Sequence, residues 1–283
     1  AALEATGDQG AAPQAPNLFN PAISVMGTFL GRVDDMRAFE EDDPSAERID
    51  DRMTLREAEI DLRAPISPWV EGVLIVELEA EEGGHEAGVE EGYVTLGRLP
   101  LMETTPGGLR LKAGLFAANF GRLNRVHQHD LPQPTLPRSL ARFMGSDGYI
   151  ETGISGQFFL PTASDRLSLE GTLEVLNGGG LPPESTGSTS DAAILGQLRT
   201  FAELGDASTF DLGTSAWSDG SERSLYGIDA TYQWLPPSQG TWQSFILGSE
   251  LFLGDFDQVG LDEDPRGGYV YAQYQFDTWT YCG

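Results

Sequence analysis

The sequence predicts an all-β chain folded as an antiparallel up-and-down transmembrane β-barrel, with about twelve strands present. Three observations carry that reading. Apolar residues recur with a period of two in one run after another. The runs reach about eleven residues or more, beyond the roughly five or six usual in soluble sheets. The connectors between them differ sharply in length, as tight turns at one end of a barrel and long polar loops at the other would require.

Taken in chain order, residues 1–17 are small, polar and aperiodic and predict a flexible lead-in, after which 18–283 form one β domain. The chain opens at Ala1 with neither Met nor a basic and apolar leader, and so reads as a mature or excised product. Strands are expected over 22–32, 53–66, 69–80, 89–98, 108–118 and 149–160, then over 166–177, 191–204, 207–218, 223–235, 241–254 and 268–281. The first cluster of connectors, 33–52, 81–88, 119–148, 178–190 and 255–267, is long and polar; 67–68, 161–165, 205–206 and 236–240 are tight. In 57–64, Ala58, Ile60, Leu62 and Ala64 oppose Glu57, Glu59, Asp61 and Arg63. In 70–80, Val70, Gly72, Leu74, Val76, Leu78 and Ala80 oppose Glu71, Glu77 and Glu79, with Val73 and Ile75 between the acids. In 167–175, Leu167, Leu169, Gly171, Leu173 and Val175 oppose Ser168, Glu170, Thr172 and Glu174. Tyr226, Ile228, Ala230, Tyr232 and Trp234 oppose Gly227, Asp229, Thr231 and Gln233, a split that helical periodicity cannot produce. Aromatic residues gather at strand ends (Trp69, Tyr149, Phe158, Trp217, Tyr232, Trp234, Trp242, Phe252, Trp279), as the girdles of a membrane barrel do.

Composition narrows the function. The 283 residues hold 17 Lys and Arg against 44 Asp and Glu, so the formal charge is 17 − 44 = −27. A chain this acidic is not a nucleic-acid binder, which must present a basic face to phosphates. No window holds about eighteen consecutive apolar residues, which excludes a transmembrane helix and says nothing against strands. A single cysteine, Cys282, rules out an internal disulfide framework. No G-x-S-x-G elbow, phosphate-binding glycine loop or HExxH spacing is present, so the expectation is a protein that is not an enzyme and carries no cofactor.

The segment 107–161 is the most distinctive: a strand with Lys112, Gly114 and Phe116 runs into Phe120, Gly121 and Asn124. A loop with His127, His129, Pro132 and Pro137 follows, then Gly145, Asp147 and Gly148 before the next strand. This pattern resembles the outer-membrane porins related to the phosphate-selective porins, and 89–96, 224–234 and 269–276 look like other strands of that group. The resemblance implies a water-filled channel in the bacterial outer membrane, passing small hydrophilic solutes or ions passively, in contact with outer-membrane lipid and assembled as a homotrimer. It departs from that family in having only one lysine, Lys112, so phosphate selectivity is not carried over. Barrels of this kind have roughly 16 to 18 strands and usually finish on an aromatic residue, so strands are expected to be missing beyond Gly283.

Under this reading the 119–148 loop narrows the pore. Lys112, Arg122, Arg125, His127, His129, Arg138 and Arg142 supply its positive side, and Glu57, Glu59, Asp61, Glu71, Glu77 and Glu91 face it from the strands. His127 and His129 alone are too few for a closed metal site, which needs three or four ligands, so they read as loop structure or constriction lining. The acidic segment 34–51, with nine acids against Arg37 and Arg48, reads as a solvated loop. Two other readings fit the same patterns: a soluble or surface-attached β-rich binding protein, and a metal-linked outer-membrane uptake protein.

Overall fold

The computed structural model describes residues 21–31, 38–39, 47–48, 53–81, 84–97, 108–131, 133, 136–145, 147–178, 181, 192–220, 223–237, 242–256 and 264–283. The lead-in expected over 1–17 and most of the acidic 34–51 segment lie outside them. Thirteen strands form one antiparallel sheet: β1 (Ala22–Gly31), β4 (Met53–Ser67), β5 (Val70–Glu81), β6 (Gly84–Leu96), β7 (Arg110–Ala117), β8 (Ile150–Leu160), β9 (Leu167–Leu176), β10 (Ala193–Glu203), β11 (Ser208–Ser218), β12 (Arg223–Trp234), β13 (Ser244–Phe256), β14 (Arg266–Gln275) and β15 (Tyr281–Cys282). Each pairs with its sequence neighbour in that order, so the topology is a meander with β1 and β15 as its two edges. A separate two-residue pair, β2 (Ala38–Phe39) with β3 (Glu47–Arg48), lies between β1 and β4. The helix α1 (Arg138–Met144) sits between β7 and β8.

The sheet has the reverse sidedness of a soluble one. On β9, Leu173 and Val175 are 60% and 53% exposed, whereas Thr172 and Glu174 between them are 2% and 1% exposed. On β12, Tyr226 and Ile228 are exposed while Asp229 and Thr231 are buried, and on β10 Ile194 and Leu198 are exposed while Gln197 and Arg199 are buried. Polar side chains therefore line the covered face and aliphatic ones the open face, with no second layer over the latter among the described residues. Water would penalise such an apolar surface by about 25 cal/mol per Å²; lipid does not, and an antiparallel sheet with all its internal backbone groups paired is what a bilayer accepts. The chain spans a membrane, and a soluble sandwich, which would bury these leucines and valines against a partner sheet, does not describe it.

Four details differ from the sequence reading. The expected last strand, 268–281, stops at Gln275. There Asp277 accepts hydrogen bonds from the Trp279 and Thr280 amides at 2.8 and 2.9 Å and turns the chain into β15, so the sheet has thirteen strands and not twelve. The connector expected over 81–88 shrinks to 82–83 because β5 and β6 run on as a paired hairpin, out to Glu81 opposite Gly84. The residues read as aromatic girdles part company: Trp69, Trp242 and Trp279 are exposed beside the 68–69, 235–243 and 276–280 connectors, all at one end of the meander. At the other end Tyr149, Trp217 and Phe252 are at most 2% exposed, because they pack against the long loop between β7 and β8. Finally, the covered face is not polar throughout. Near that same end β9 to β13 turn apolar, through Leu176, Leu195, Trp217, Leu225 and Phe252.

Candidate functional site

The loop 118–149 folds back against the polar face of the sheet and touches both of its halves. Its own apolar residues, Phe120, Leu123, Leu140, Phe143, Met144 and Tyr149, join the apolar ends of β9 to β13 in one buried cluster. The rings of Phe120 and Phe143 stack on Phe252, with centroids 6.2 and 5.3 Å away. Tyr149 meets Trp217 edge to face at 6.3 Å, and the Trp217 indole donates to the Tyr149 hydroxyl at 3.3 Å. Burying a phenylalanine contributes about 1.5–3 kcal/mol, which offsets the ordering cost of about one or two residues each.

Gly121 is the peg on which the loop hangs. Its φ of +61° is open to glycine at little cost, and a Cβ there would lie 2.9 Å from the Glu250 carboxylate. Its amide donates to Ser215 Oγ at 3.0 Å, and its carbonyl accepts from Gln197 Nε2 at 3.0 Å and Arg199 Nη2 at 2.9 Å. Glu250 Oε1 then accepts the amides of Arg122 and Leu123 at 2.5 and 2.9 Å, which supplies an acceptor for the leading N–H groups of the short 3₁₀ turn Leu123–Arg125. Glu174 accepts both the amide and the side-chain amide of Asn119. Glu91 Oε1 accepts the Ala117 amide at 2.6 Å. Within the loop, Asn124 donates to the carbonyls of Ala118 and Tyr149 and accepts the Tyr149 amide at 2.7 Å, closing the loop's base. These side chains from distant strands supply partners for loop backbone groups that no strand or helix pairs.

Across the lumen the loop meets the β4–β6 wall through its two histidines. His127 Nδ1 lies 2.9 Å from Glu90 Oε1 and 3.7 Å from Glu59, while His129 Nδ1 lies 3.0 Å from Glu59 Oε2 and 3.7 Å from Glu57. The hydrogen bond to Glu90 raises the His127 pKa to about 9 against the opposing effect of burial, so at neutral pH it is an imidazolium that holds these carboxylates. Burial, and then the nearby Arg199 guanidinium, lower Arg125 from its ordinary value.

The positions expected to line the constriction do not all come together. Glu57, Glu59, Glu91, His127 and His129 do come together, as loop anchors. Lys112, Arg125 and His127 line a cavity of about 410 Å³ beside the loop, with Arg63, Arg110, Tyr93, Thr95, Ser155 and Gln157. There Lys112 Nζ sits over the rings of Tyr93 and Phe116 at 4.7 and 4.9 Å. Arg122 reaches Asp211 at 3.7 Å, whereas Asp61 is paired with Arg63 at 2.8 Å, and Glu77 stands opposite Glu59 in register. Glu71, Arg138 and Arg142 are exposed and away from the loop's anchors, the two arginines on the outer side of α1. Glu91 accepts the amide of Ala117 at the end of β7, Glu174 and Glu250 accept loop amides, and the cavity beside the loop is lined by more cationic than anionic side chains.

Sequence reasoning missed Glu90, Asn119, Gln197, Arg199, Ser215 and Glu250. Glu90 is the extra residue of a β-bulge, where Ile75 pairs with Glu91 and Val76 with Val89, and the bulge turns it toward the lumen when strict alternation would place it on the lipid side. Gly227 is the lumenal slot for Phe120: a Cβ there would lie 2.6 Å from the ring. Gly227→Val should therefore push Phe120 out and destabilise the docked loop by about 1–3 kcal/mol. The check is a lower temperature for loss of the compact, heat-modifiable form in detergent.

The chain matches no protein-family model. Over 107 residues it is 33% identical to an uncharacterized protein of Aquifex aeolicus (strain VF5), a match covering 38% of this chain and 20% of that protein. The chain thus spans about a fifth of the length of that relative. Among solved structures it is similar to OmpTdeltaL8, the loop L8 deletion mutant of OmpT, an outer membrane protein of Vibrio cholerae. That likeness has 10% identity and a TM-score of 0.44, covering 92% of this chain and 90% of that one. It is also similar to the outer membrane channel DcaP of Acinetobacter baumannii, at 10% identity and a TM-score of 0.47, covering 90% of this chain and 86% of that one.

Proposed function

We propose that this chain forms an outer-membrane channel in which small hydrophilic solutes diffuse through a water-filled lumen narrowed by the 118–149 loop. One observation carries the reading: a membrane-spanning sheet with an apolar outer face bears on its other face a polar cavity of about 410 Å³ beside a loop anchored across it. Nothing in such a path calls for a covalent step, so the protein acts as a conduit and not as a catalyst. Arg63, Arg110, Lys112, Arg125 and the imidazolium of His127 line this cavity, with Glu91 the one carboxylate among its described lining residues; Arg63 is also paired with Asp61, and His127 with Glu90. Rings of fixed charge set ionic preference at close quarters, so the constriction passes anions in preference to cations although the chain as a whole carries −27. The same sign belongs to the porins that 107–161 resembles, reached here chiefly through arginines.

The test is reversal potential in planar bilayers under a potassium chloride gradient. Chloride preference is expected from the parent protein, with Lys112→Glu shifting the potential toward zero or beyond it. Absence of conductance, or cation preference in the parent, would defeat the reading.

A further inference from the structure

We propose that His127 and His129, together with Glu57, Glu59 and Glu90, bind a divalent transition-metal ion that clamps the constriction loop to the β4–β6 wall. The donors form two triads that share Glu59: Glu57, Glu59 and His129, and Glu59, Glu90 and His127. In each the ligand atoms lie within 4.8 Å of one another. Bonds of about 2.0–2.2 Å to nitrogen and oxygen in tetrahedral or octahedral geometry put adjacent ligand atoms about 3.0–3.5 Å apart. The imidazole-to-carboxylate separations here, 2.9, 3.0, 3.7 and 3.7 Å, bracket that range. Imidazole and carboxylate without thiolate suit zinc and the other late first-row divalent ions.

A second observation points inward to a ligand. Glu59 is 5% exposed, yet its Oε2 has no hydrogen bond, and neither has His129 Nδ1, although the two atoms are 3.0 Å apart; Glu90 Oε2 is likewise without one. Glu59 Oε2 and His129 Nδ1 thus face each other without a hydrogen bond in one triad, and Glu90 Oε2 lacks one in the adjoining triad, so an ion held by these donors would engage groups that the fold leaves unsatisfied. The ring nitrogen of His129 on the far side, Nε2, lies 3.5 Å from the Asp130 carboxylate, the arrangement that orients a metal-bound imidazole. The two rings lie nearly parallel, 5.7 Å apart and 17° from coplanar, so both present Nδ1 to the same wall. When an ion binds, it takes the place of the imidazolium proton and leaves the carboxylates paired. The inference needs only the docked loop, and holds whether or not the pore conducts.

Binding is to be measured on the untagged chain folded in detergent, stripped with EDTA and titrated with Zn²⁺ at about pH 8 against a chromophoric chelator. One or two equivalents per chain are expected, according to whether one triad or both fill. Glu59→Gln and the double substitution His127→Ala with His129→Ala should each weaken binding at least about tenfold. Because a variant can lose the fold along with the ion, a second measurement uses the parent alone: Cu²⁺ bound in place of Zn²⁺ should show imidazole nitrogen coupling in its electron paramagnetic resonance spectrum. No stoichiometric binding by the parent, parental affinity in the double variant, or a copper spectrum without nitrogen coupling would each overturn the site. None of these readouts involves current, so their failure and failure of the channel reading are separate results.

Discussion

Leu173→Arg should prevent the chain from assembling in a membrane. Leu173 is 60% exposed on the apolar face of β9, between Gly156 on β8 and Gly196 on β10, with apolar Val175 and Ile154 close by on that face. An arginine on the lipid side costs about 2–4 kcal/mol near the bilayer midplane, which is a large part of the whole stability of a domain. Thr95→Arg places the same side chain on the same sheet but on its opposite face, in the cavity beside the loop, and should assemble as the parent does. Recovery of the heat-modifiable form in lipid vesicles compares the two. Equal recovery of Leu173→Arg and the parent would remove the argument that this face meets lipid.

Arg199→Ala should have the next largest effect, through the loop. The Arg199 guanidinium donates to Gly121 O at 2.9 Å, to both carboxylate oxygens of Asp229 at 3.0 and 3.1 Å, and to Asp211. Asp229 is 2% exposed, so deleting its partner strands a buried charge. Loss of one member of such a pair costs about 3–5 kcal/mol, and replacing both members by neutral groups costs much less. Arg199→Ala with Asp229→Asn should therefore recover most of the stability lost by Arg199→Ala alone. Arg199→Lys should recover little, because a single ammonium cannot span Gly121 and two carboxylates as the planar fork does. Thermal loss of the compact form gives the stability, and single-channel recording of the proposed pore should show a larger, noisier conductance where the loop has come away.

The strands were legible because each has two chemically different faces: all twelve candidate runs appear, and the burial shows the oppositions that were read at 57–60, 172–175 and 228–231. Alternation reports which face a residue occupies, not what covers that face. Hence Trp217 and Phe252, read as girdle residues, proved to be the bed of the loop. The clue was present: along β10, Leu195 shares a face with Gln197 and Arg199, and an apolar residue on a polar face implies a cover. Glu90 was hidden for a different reason, since a bulge shifts the period by one and pattern matching then assigns the wrong side. The loop's anchors could not be found locally at all. Asn119 meets Glu174 across 55 residues of chain, and Leu123 meets Glu250 across 127, with no periodicity to link them. The histidine pair was visible, but the carboxylates that complete its surroundings come from two separate strands.

The loop's attachments to opposite walls make it a strut, held by Glu90 and Glu59 at one end and by Ser215, Arg199 and Glu250 at the other. In an unbraced barrel the bore follows from the number of strands and their stagger. With a strut, the aperture of the proposed channel would be set by side chains on one short segment, so that its size limit could be retuned by substitutions there while the wall that meets lipid stays as it is.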